Sequence, residues 1–216
     1  MNTVEAIKYF FLEAGAGWVL WLLFALSIAS VAVALERWFA YRKADEDVHA
    51  IANELSNALQ SDDASSAMKK LASHEGVAAR IASAGLSVAE RGPEAAESAM
   101  KSRTALERNA LENRLAFLAT LGNNAPFIGL FGTVIGIIGA FEELGHSAAG
   151  HVNASNASAS TAVMSSIAEA LVATAVGIAV ALPAVAAYNY LQRRVERIVS
   201  DSDVLSNLVM AYLKSE

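Results

Sequence analysis

The segment SSIAEALVATAVGIAVALPAV, residues 165–185, combines a long apolar run with a single charged side chain, that of Glu169. The next acidic or basic residue after Glu169 is Arg193. Such a segment is long enough for a helix that crosses a bilayer, which needs about 20 apolar residues. A charged group near the bilayer centre costs about 2–3 kcal/mol on insertion scales, so a carboxyl in this position needs an explanation.

Two other uncharged segments, residues 14–35 and 115–141, also reach the length of a membrane span, and the third covers 151–192 apart from Glu169. The composition agrees with a protein of the lipid bilayer, since 55% of the residues are hydrophobic and 18% are charged. In soluble domains about 45–50% of the residues are apolar and about 25% are charged. The net charge of −6 does not favour nucleic acid as a partner, and without cysteine the chain offers no thiolate metal site.

The first apolar segment is expected to be a retained span rather than a cleaved signal peptide. Signal peptides begin with a basic region and carry an apolar core of about 7–15 residues, whereas this segment follows Lys8 together with Glu5 and Glu13. Trp18 and Trp38 would lie about 30 Å apart on a helix, which matches the thickness of the hydrocarbon layer. Tryptophan is enriched at both membrane interfaces.

The distribution of basic residues predicts the orientation of the chain. All but Lys8 of the 16 lysines and arginines lie in residues 37–114 or 193–214, and such segments stay in the cytoplasm. The expected fold is an all-α integral membrane protein with three transmembrane helices, an external N-terminus and long helices that extend into a cytoplasmic helical body. The predicted segments are an external N-terminal segment (1–15), transmembrane helix 1 (16–40), a cytoplasmic helical region (41–114), transmembrane helix 2 (115–141), an external loop (142–160), transmembrane helix 3 (161–191) and a cytoplasmic C-terminal helix (192–216).

Helix signals outside the spans are clear in two places. Gly92 and Pro93 mark a helix start, and Pro126 is the only breaker of note in the residues from 94 to 141. One continuous helix is therefore expected from about residue 94 through the second span. The third span is expected to continue as an amphipathic helix toward the C-terminus, with residues 200–203 as a point where it could break.

The sequence carries no motif for a catalytic, cofactor or metal site. It lacks a phosphate-binding loop that ends in lysine, a zinc-protease motif and a nucleophile elbow. His146 and His151 are five residues apart, which is not the spacing of a helical metal pair. The sequence thus predicts neither an enzyme nor a bound cofactor.

Glycines within the second span predict close helix packing. The run from Gly129 to Gly139 also includes Gly132 and Gly136, and small residues at these spacings let helix backbones approach each other in lipid. The third span is rich in alanine and glycine as well. We expect these two spans to pack tightly in a bundle.

Two interpretations of Glu169 remain open, a proton or ion relay and a neutral carboxyl that only links helices by hydrogen bonds. With the external boundary at Glu142 and Thr161, Glu169 lies about 12 Å deep. Thr133 then lies about 13 Å deep, and Thr174 lies about 7 Å deeper than Glu169. A carboxyl near hydroxyls in an apolar wall suits a protonation site. Each threonine could instead bond a carbonyl of the preceding helical turn.

Two long segments, LGNNAPFIGLFGTVIGII (residues 121–138) and IAEALVATAVGIAVALPAVAAYNYL (residues 167–191), resemble the ExbB and TolQ proteins, relatives of the flagellar stator protein MotA. ALERWFA (residues 34–40) and the three-span layout extend the resemblance over nearly the whole chain. It implies a proton-driven motor subunit of a Gram-negative inner membrane, so that the external side is the periplasm.

The resemblance also implies partners and site residues. Members of the family form a pentamer around the single-span helices of a partner, ExbD or TolR, which brings an aspartate into the pore. Proton passage there drives relative rotation and energises TonB or TolA across the periplasm. By position, the pore glutamate of the family is Glu169, and its pore-lining threonines are Thr133 and Thr174. Glu169 is then a polar or ionisable wall residue.

Overall likeness favours the ExbB type, and hence TonB-dependent uptake of iron siderophores. The TolQ type, which would serve the Tol-Pal system and envelope integrity, is the first alternative. A scaffold that holds partners without conducting protons is another, and it predicts that Glu169→Gln is tolerated. A small-solute transporter is disfavoured, because three spans without a pair of broken helices do not form such a binding site.

Overall fold

The computed structural model describes residues 17–60, 64–149 and 156–215. These residues form helices and contain no strand. The predicted N-terminal segment 1–15 and His151 lie outside the described residues. The helices in chain order are α1 (Gly17–Ala44), α2 (Val48–Gln60), α3 (Ala64–Leu71), α4 (Val77–Leu86), a 3₁₀ turn (Ala89–Arg91), α5 (Pro93–Glu112), α6 (Leu115–Ala149) and α7 (Asn156–Ser215).

Three of the described helices, α1, α6 and α7, are long and apolar enough to cross a membrane. The predicted all-α class and the three long apolar helices are thus confirmed. Large apolar side chains are exposed along all three, for example Trp21 of α1, Phe127 of α6 and Leu182 of α7. Extended exposed apolar surface marks contact with lipid or with other protein.

The expected continuous helix from residue 94 to 141 is wrong, because the chain breaks between α5 and α6. Asn113 is extended, and Arg114 has φ 68°, a left-handed conformation that ends a helix. Contacts with α1 stabilise this break. The Tyr41 hydroxyl donates to the Leu111 carbonyl oxygen at 2.6 Å, and Arg114 pairs with Glu36 at 3.0 Å.

The connection between the second and third spans is also more helical than the sequence suggested. Helix α6 continues to Ala149 and α7 begins at Asn156, so both helices extend into the predicted loop 142–160. Helix α7 then runs without a break through residues 200–203. Ser202 is fully buried there, and its hydroxyl donates to the Val199 carbonyl oxygen at 2.6 Å, which satisfies it within the helix.

The chain divides into two compact units. The apolar unit comprises Met1–Val33 and Phe117–Tyr188, and the polar unit comprises Ala34–Ala116 and Asn189–Glu216. Apolar side chains from three helices form the core of the apolar unit, namely Val19 and Leu23 of α1, Leu121 and Ala125 of α6, and Val180, Ala181 and Ala184 of α7.

Helices α6 and α7 approach each other closely through glycines in the described part of the apolar unit. A Cβ atom at Gly129 would lie 2.7 Å from the Ala173 carbonyl oxygen, and one at Gly177 would lie 2.7 Å from the Ala125 carbonyl oxygen. Real Cβ atoms do not approach backbone this closely, so only glycine fits at these two positions. Close backbone approach through small residues is typical of helix packing in membranes.

The polar unit is held together in part by a buried carboxylate. Glu107 of α5 is only 7% exposed and accepts two hydrogen bonds from Arg80 of α4, both at 2.8 Å. Arg103, one turn earlier on α5, approaches the same carboxylate at 2.7 Å. The hydrogen bonds from Arg80 hold the pKa of Glu107 below its ordinary value of 4.5, against the opposing effect of burial.

Alanine at Gly177 is expected to destabilise the apolar unit by about 1–3 kcal/mol, because overpacking at a backbone contact forces the helices apart. The loss is measured as a shift of the thermal unfolding midpoint in mild detergent. A loss of about 1 kcal/mol lowers this midpoint by about 2–4 °C. Gly145→Ala is the matched control, since a Cβ at Gly145 meets nothing within 4 Å. Equal midpoints for the two variants would contradict the close packing.

Glu107→Gln is expected to lower the free energy of unfolding by about 1–3 kcal/mol at neutral pH, because it removes the charged acceptor of Arg80. The pKa of Glu107 is lowered in the folded state, so its stabilisation is complete above the unfolded pKa and is lost as the pH falls through the folded pKa. Between about pH 5 and about pH 3 the unfolding midpoint of the wild type should therefore fall more steeply than that of the variant.

Glu97→Gln is the control for this pH profile. Glu97 pairs with Lys101 at 2.5 Å on the exposed surface of α5, where an ion pair adds little stability. We expect the unfolding midpoint of Glu97→Gln to change with pH as that of the wild type does. The midpoint of Glu107→Gln should change less with pH. Identical profiles for all three proteins would refute the role of the buried carboxylate.

Candidate functional site

The two predicted threonines meet across the contact between α6 and α7. The hydroxyls of Thr133 and Thr174 form a hydrogen bond with each other. The Thr133 hydroxyl also lies 3.3 Å from the Gly129 carbonyl oxygen on its own helix and 3.1 Å from the Ala170 carbonyl oxygen on α7. When Thr133 donates its proton to one of these carbonyls, Thr174 must be the donor in the bond between the two hydroxyls.

The glycine contacts bring these hydroxyls to one depth. Gly129 lies against Gly177 and Gly136 against Ala170, which fixes the register of α6 on α7. Thr133 then falls between the levels of Ala170 and Thr174, about 3 Å or half a helical turn deeper than the sequence estimate. Side chains lean toward the N-terminus of their helix, so those on antiparallel helices lean toward each other.

Glu169 lies on a different side of α7. It is exposed, and its Oε1 atom is 3.8 Å from the position of a Cβ at Gly17, the first residue of α1. Thr174 is five residues further along the chain, about 140° around the helix. No hydrogen bond joins the Glu169 carboxyl to either threonine of the same described chain.

Helix α1 covers one side of the α6–α7 contact. A Cβ at Gly132 would lie 3.1 Å from Val19, and Trp18 meets Phe131 in an edge-on contact with ring centroids 6.3 Å apart. Glu169 is on this side, near the start of α1. The two threonines lie on the opposite side, away from α1.

The four glycines named from the sequence lie along α6. Gly129, Gly132 and Gly136 all face α7, where added Cβ atoms would lie within 3.0 Å of its atoms. Gly139 is partly buried. Sequence reasoning did not single out Gly122, where a Cβ would lie 2.5 Å from Val185. Its position seven residues before Gly129, two turns along the same face, is the signal that could have identified it.

The chemistry available here is that of exchangeable protons in an apolar wall. Glu169 can bind and release a proton, whereas the hydroxyls of Thr133 and Thr174 can only pass one along by rotating. In the described residues no group of three or more histidine, aspartate and glutamate side chains is arranged to hold a metal ion.

Three apolar helices that bear an isolated carboxyl and a paired set of hydroxyls are features of a membrane protein that handles protons or ions. The sequence profile of the MotA/TolQ/ExbB proton channel family matches residues 69–203. The chain belongs to this family, which confirms the resemblance seen in its sequence.

Curated relatives of both types within the family are similar to the chain. An ExbB-like 2 biopolymer transport protein of Helicobacter pylori is 44% identical over 46% of this chain and 61% of its own length. The Tol-Pal system protein TolQ of Haemophilus influenzae is 46% identical over 44% of this chain and 38% of its own. The biopolymer transport protein ExbB of Neisseria gonorrhoeae is 46% identical over 42% of this chain and 37% of its own length. The chain thus spans less than two thirds of these relatives, and the ExbB and TolQ types match it equally well.

Thr133→Val keeps the shape of the side chain and removes one hydroxyl. We expect it to lower the free energy of unfolding by about 0.6 kcal/mol, the average for a hydrogen bond between membrane helices. The Thr174 hydroxyl can then donate to Ala170, the carbonyl four residues before it. Unfolding midpoints in detergent test this, and a loss as large as that of Gly177→Ala would mean that the hydroxyl pair is mainly structural.

Proposed function

We propose that the chain is the proton-channel subunit of an ExbB-type complex in the inner membrane of a Gram-negative bacterium. The observation that carries the proposal is the hydroxyl pair of Thr133 and Thr174, with Glu169 at a similar depth on another side of α7. The segments 115–141 and 165–191 that hold them carry no other charged side chain. In this proposal the proton motive force energises TonB-dependent import across the outer membrane, for example of iron siderophores.

Each site residue has a defined role in the proposal. Thr133 and Thr174 line the conducting passage and hold water or pass protons by hydroxyl rotation. Glu169 is an ionisable wall residue that changes its charge during the cycle. Gly129 and Gly136 keep α6 and α7 close enough for the hydroxyls to meet.

The passage requires several copies of the chain, since three helices cannot enclose a pore. We propose a homopentamer around a single-span, ExbD-like partner whose aspartate receives the proton. The large apolar side chains exposed on the three long helices are available for contacts with lipid and with neighbouring copies. The distribution of basic residues supports an orientation with the N-terminus and residues 142–160 in the periplasm and residues 41–114 and 192–216 in the cytoplasm.

The energy supply is sufficient for such work. One charge that crosses 100 mV releases about 2.3 kcal/mol, so a few protons per step can move packed helices past one another. The glycines and alanines along the α6–α7 contact present little side-chain bulk there.

The test is growth on a ferric siderophore as the sole iron source in a strain whose only copy carries Glu169→Gln. We expect growth to be lost, because the amide is nearly isosteric but cannot take up and release a proton. Glu143→Gln is the matched control. Glu143 is also an exposed carboxylate of the apolar unit, and it accepts a hydrogen bond from Ser166 at 3.2 Å.

Membrane abundance and sensitivity to bile salts are scored in the same strains. Normal iron uptake with a leaky envelope would identify the TolQ type, which the equal similarity to TolQ proteins makes the second candidate. If both traits survive in Glu169→Gln at normal abundance, the non-conducting scaffold replaces the proposal.

A further inference from the structure

Asn123 is a polar residue that the proposed pathway does not yet include. It lies eight residues, about 12 Å, from the first residue of α6, in a segment without charged side chains. Its side chain is exposed and forms no hydrogen bond with any other described residue. The neighbouring Asn124 differs, because its amide donates to the Thr120 carbonyl oxygen at 2.7 Å.

A second polar group lies beside Asn123. In an α-helix the carbonyl of Gly122 accepts its hydrogen bond from the N–H of the residue four positions later, which here is Pro126. Proline has no N–H, so this carbonyl is left without its helical donor. The Asn123 amide and the Gly122 carbonyl together offer a donor and two acceptors, which suits them to hold a water molecule.

Asn123 lies on the same side of α6 as Thr133. Gly122 and Gly129 face α7, and Gly132, which lies near Val19, is displaced from them toward α1. Successive residues of a helix are rotated by about 100° about its axis. Measured from the face of Gly122 and Gly129, Thr133 is rotated by about 40° and Asn123 by about 100°, both in the direction away from Gly132. Both residues therefore lie on the side away from α1, about 15 Å apart along the helix.

The remainder of this side of α6 is apolar. Leu130 and Ile137 are exposed on it and offer no hydrogen-bonding group. An amide exposed to hydrocarbon would lose its hydrogen bonds to water at a cost of several kcal/mol. A water molecule can satisfy both Asn123 and the Gly122 carbonyl at this depth.

We propose that Asn123, with the Gly122 carbonyl, is a second polar station of the conducting passage, about 15 Å nearer to the start of α6 than the threonine pair. The amide does not accept the proton; it orients a water molecule that takes up a proton on one side and releases another on the far side. This inference rests on the proposed function, since it needs a passage at Thr133 and Thr174.

The absence of cysteine from the chain allows a direct test. Three variants of the full chain each carry one cysteine, at Asn123, Thr174 or Phe24. Each variant is studied in membranes that contain the complex of this chain. Phe24 is the control, because it is exposed on α1 next to Leu23, which shares the core cluster of Leu121. A small, charged methanethiosulfonate then reports which thiols water can reach, since only an ionised thiol reacts.

We expect the cysteines at Asn123 and Thr174 to react at least about tenfold faster than the cysteine at Phe24. If Thr174→Cys reacts fast and Asn123→Cys reacts as slowly as Phe24→Cys, the station at Asn123 is overturned. The proposed function would then still stand. Three equally slow cysteines would overturn the wet passage itself, and the station with it.

A second measurement separates a role in conduction from one in folding. At equal membrane abundance, Asn123→Leu should reduce siderophore-dependent growth, and Asn123→Gln should restore it because the amide is kept. Asn124→Leu is the matched control, since Asn124 bonds within its own helix. Normal growth of Asn123→Leu would overturn the inference, as would an equal loss in Asn124→Leu.

Discussion

The contact of backbone with backbone between α6 and α7 is the constraint on which the apolar unit depends. Gly129 and Gly177 allow an approach that any Cβ would prevent, and this approach fixes the register of the two helices. The register in turn brings the hydroxyls of Thr133 and Thr174 within hydrogen-bond distance. Association of helices in lipid lacks a hydrophobic driving force, so shape complementarity of this kind decides the geometry of the site.

The polar unit also has a buried apolar core, with Ile51, Leu55 and Ile81 among its members, and adds ion pairs and hydrogen bonds to it. Glu107 is buried between two arginines, and Asp45 pairs with Arg194 at the end of α1. Tyr41 and Glu36 hold the break that separates α5 from α6. These ion pairs make the stability of the polar unit sensitive to pH and salt, in addition to its dependence on apolar packing.

Much of the architecture follows from the amino-acid sequence, because long uncharged runs have few ways to fold other than as apolar helices. The rarity of charge in those runs also drew attention to Glu169, and the small-residue spacing identified Gly129, Gly132 and Gly136. The break at Arg114 was missed, since it depends on contacts with α1 rather than on a local glycine or proline. The side of α7 on which Glu169 lies was missed as well, because depth alone does not fix rotation about a helix axis.

The direction of the hydrogen bonds at the threonine pair has a consequence for the movement of protons between the two hydroxyls. With the Thr133 proton on a backbone carbonyl and the Thr174 proton on Thr133, the short chain of hydroxyls ends at an atom that cannot bind a further proton at ordinary pH. In this arrangement neither hydroxyl can pass a proton to the other side of the pair. Both hydroxyls must first turn, so their two rotations are coupled through the bond that joins them.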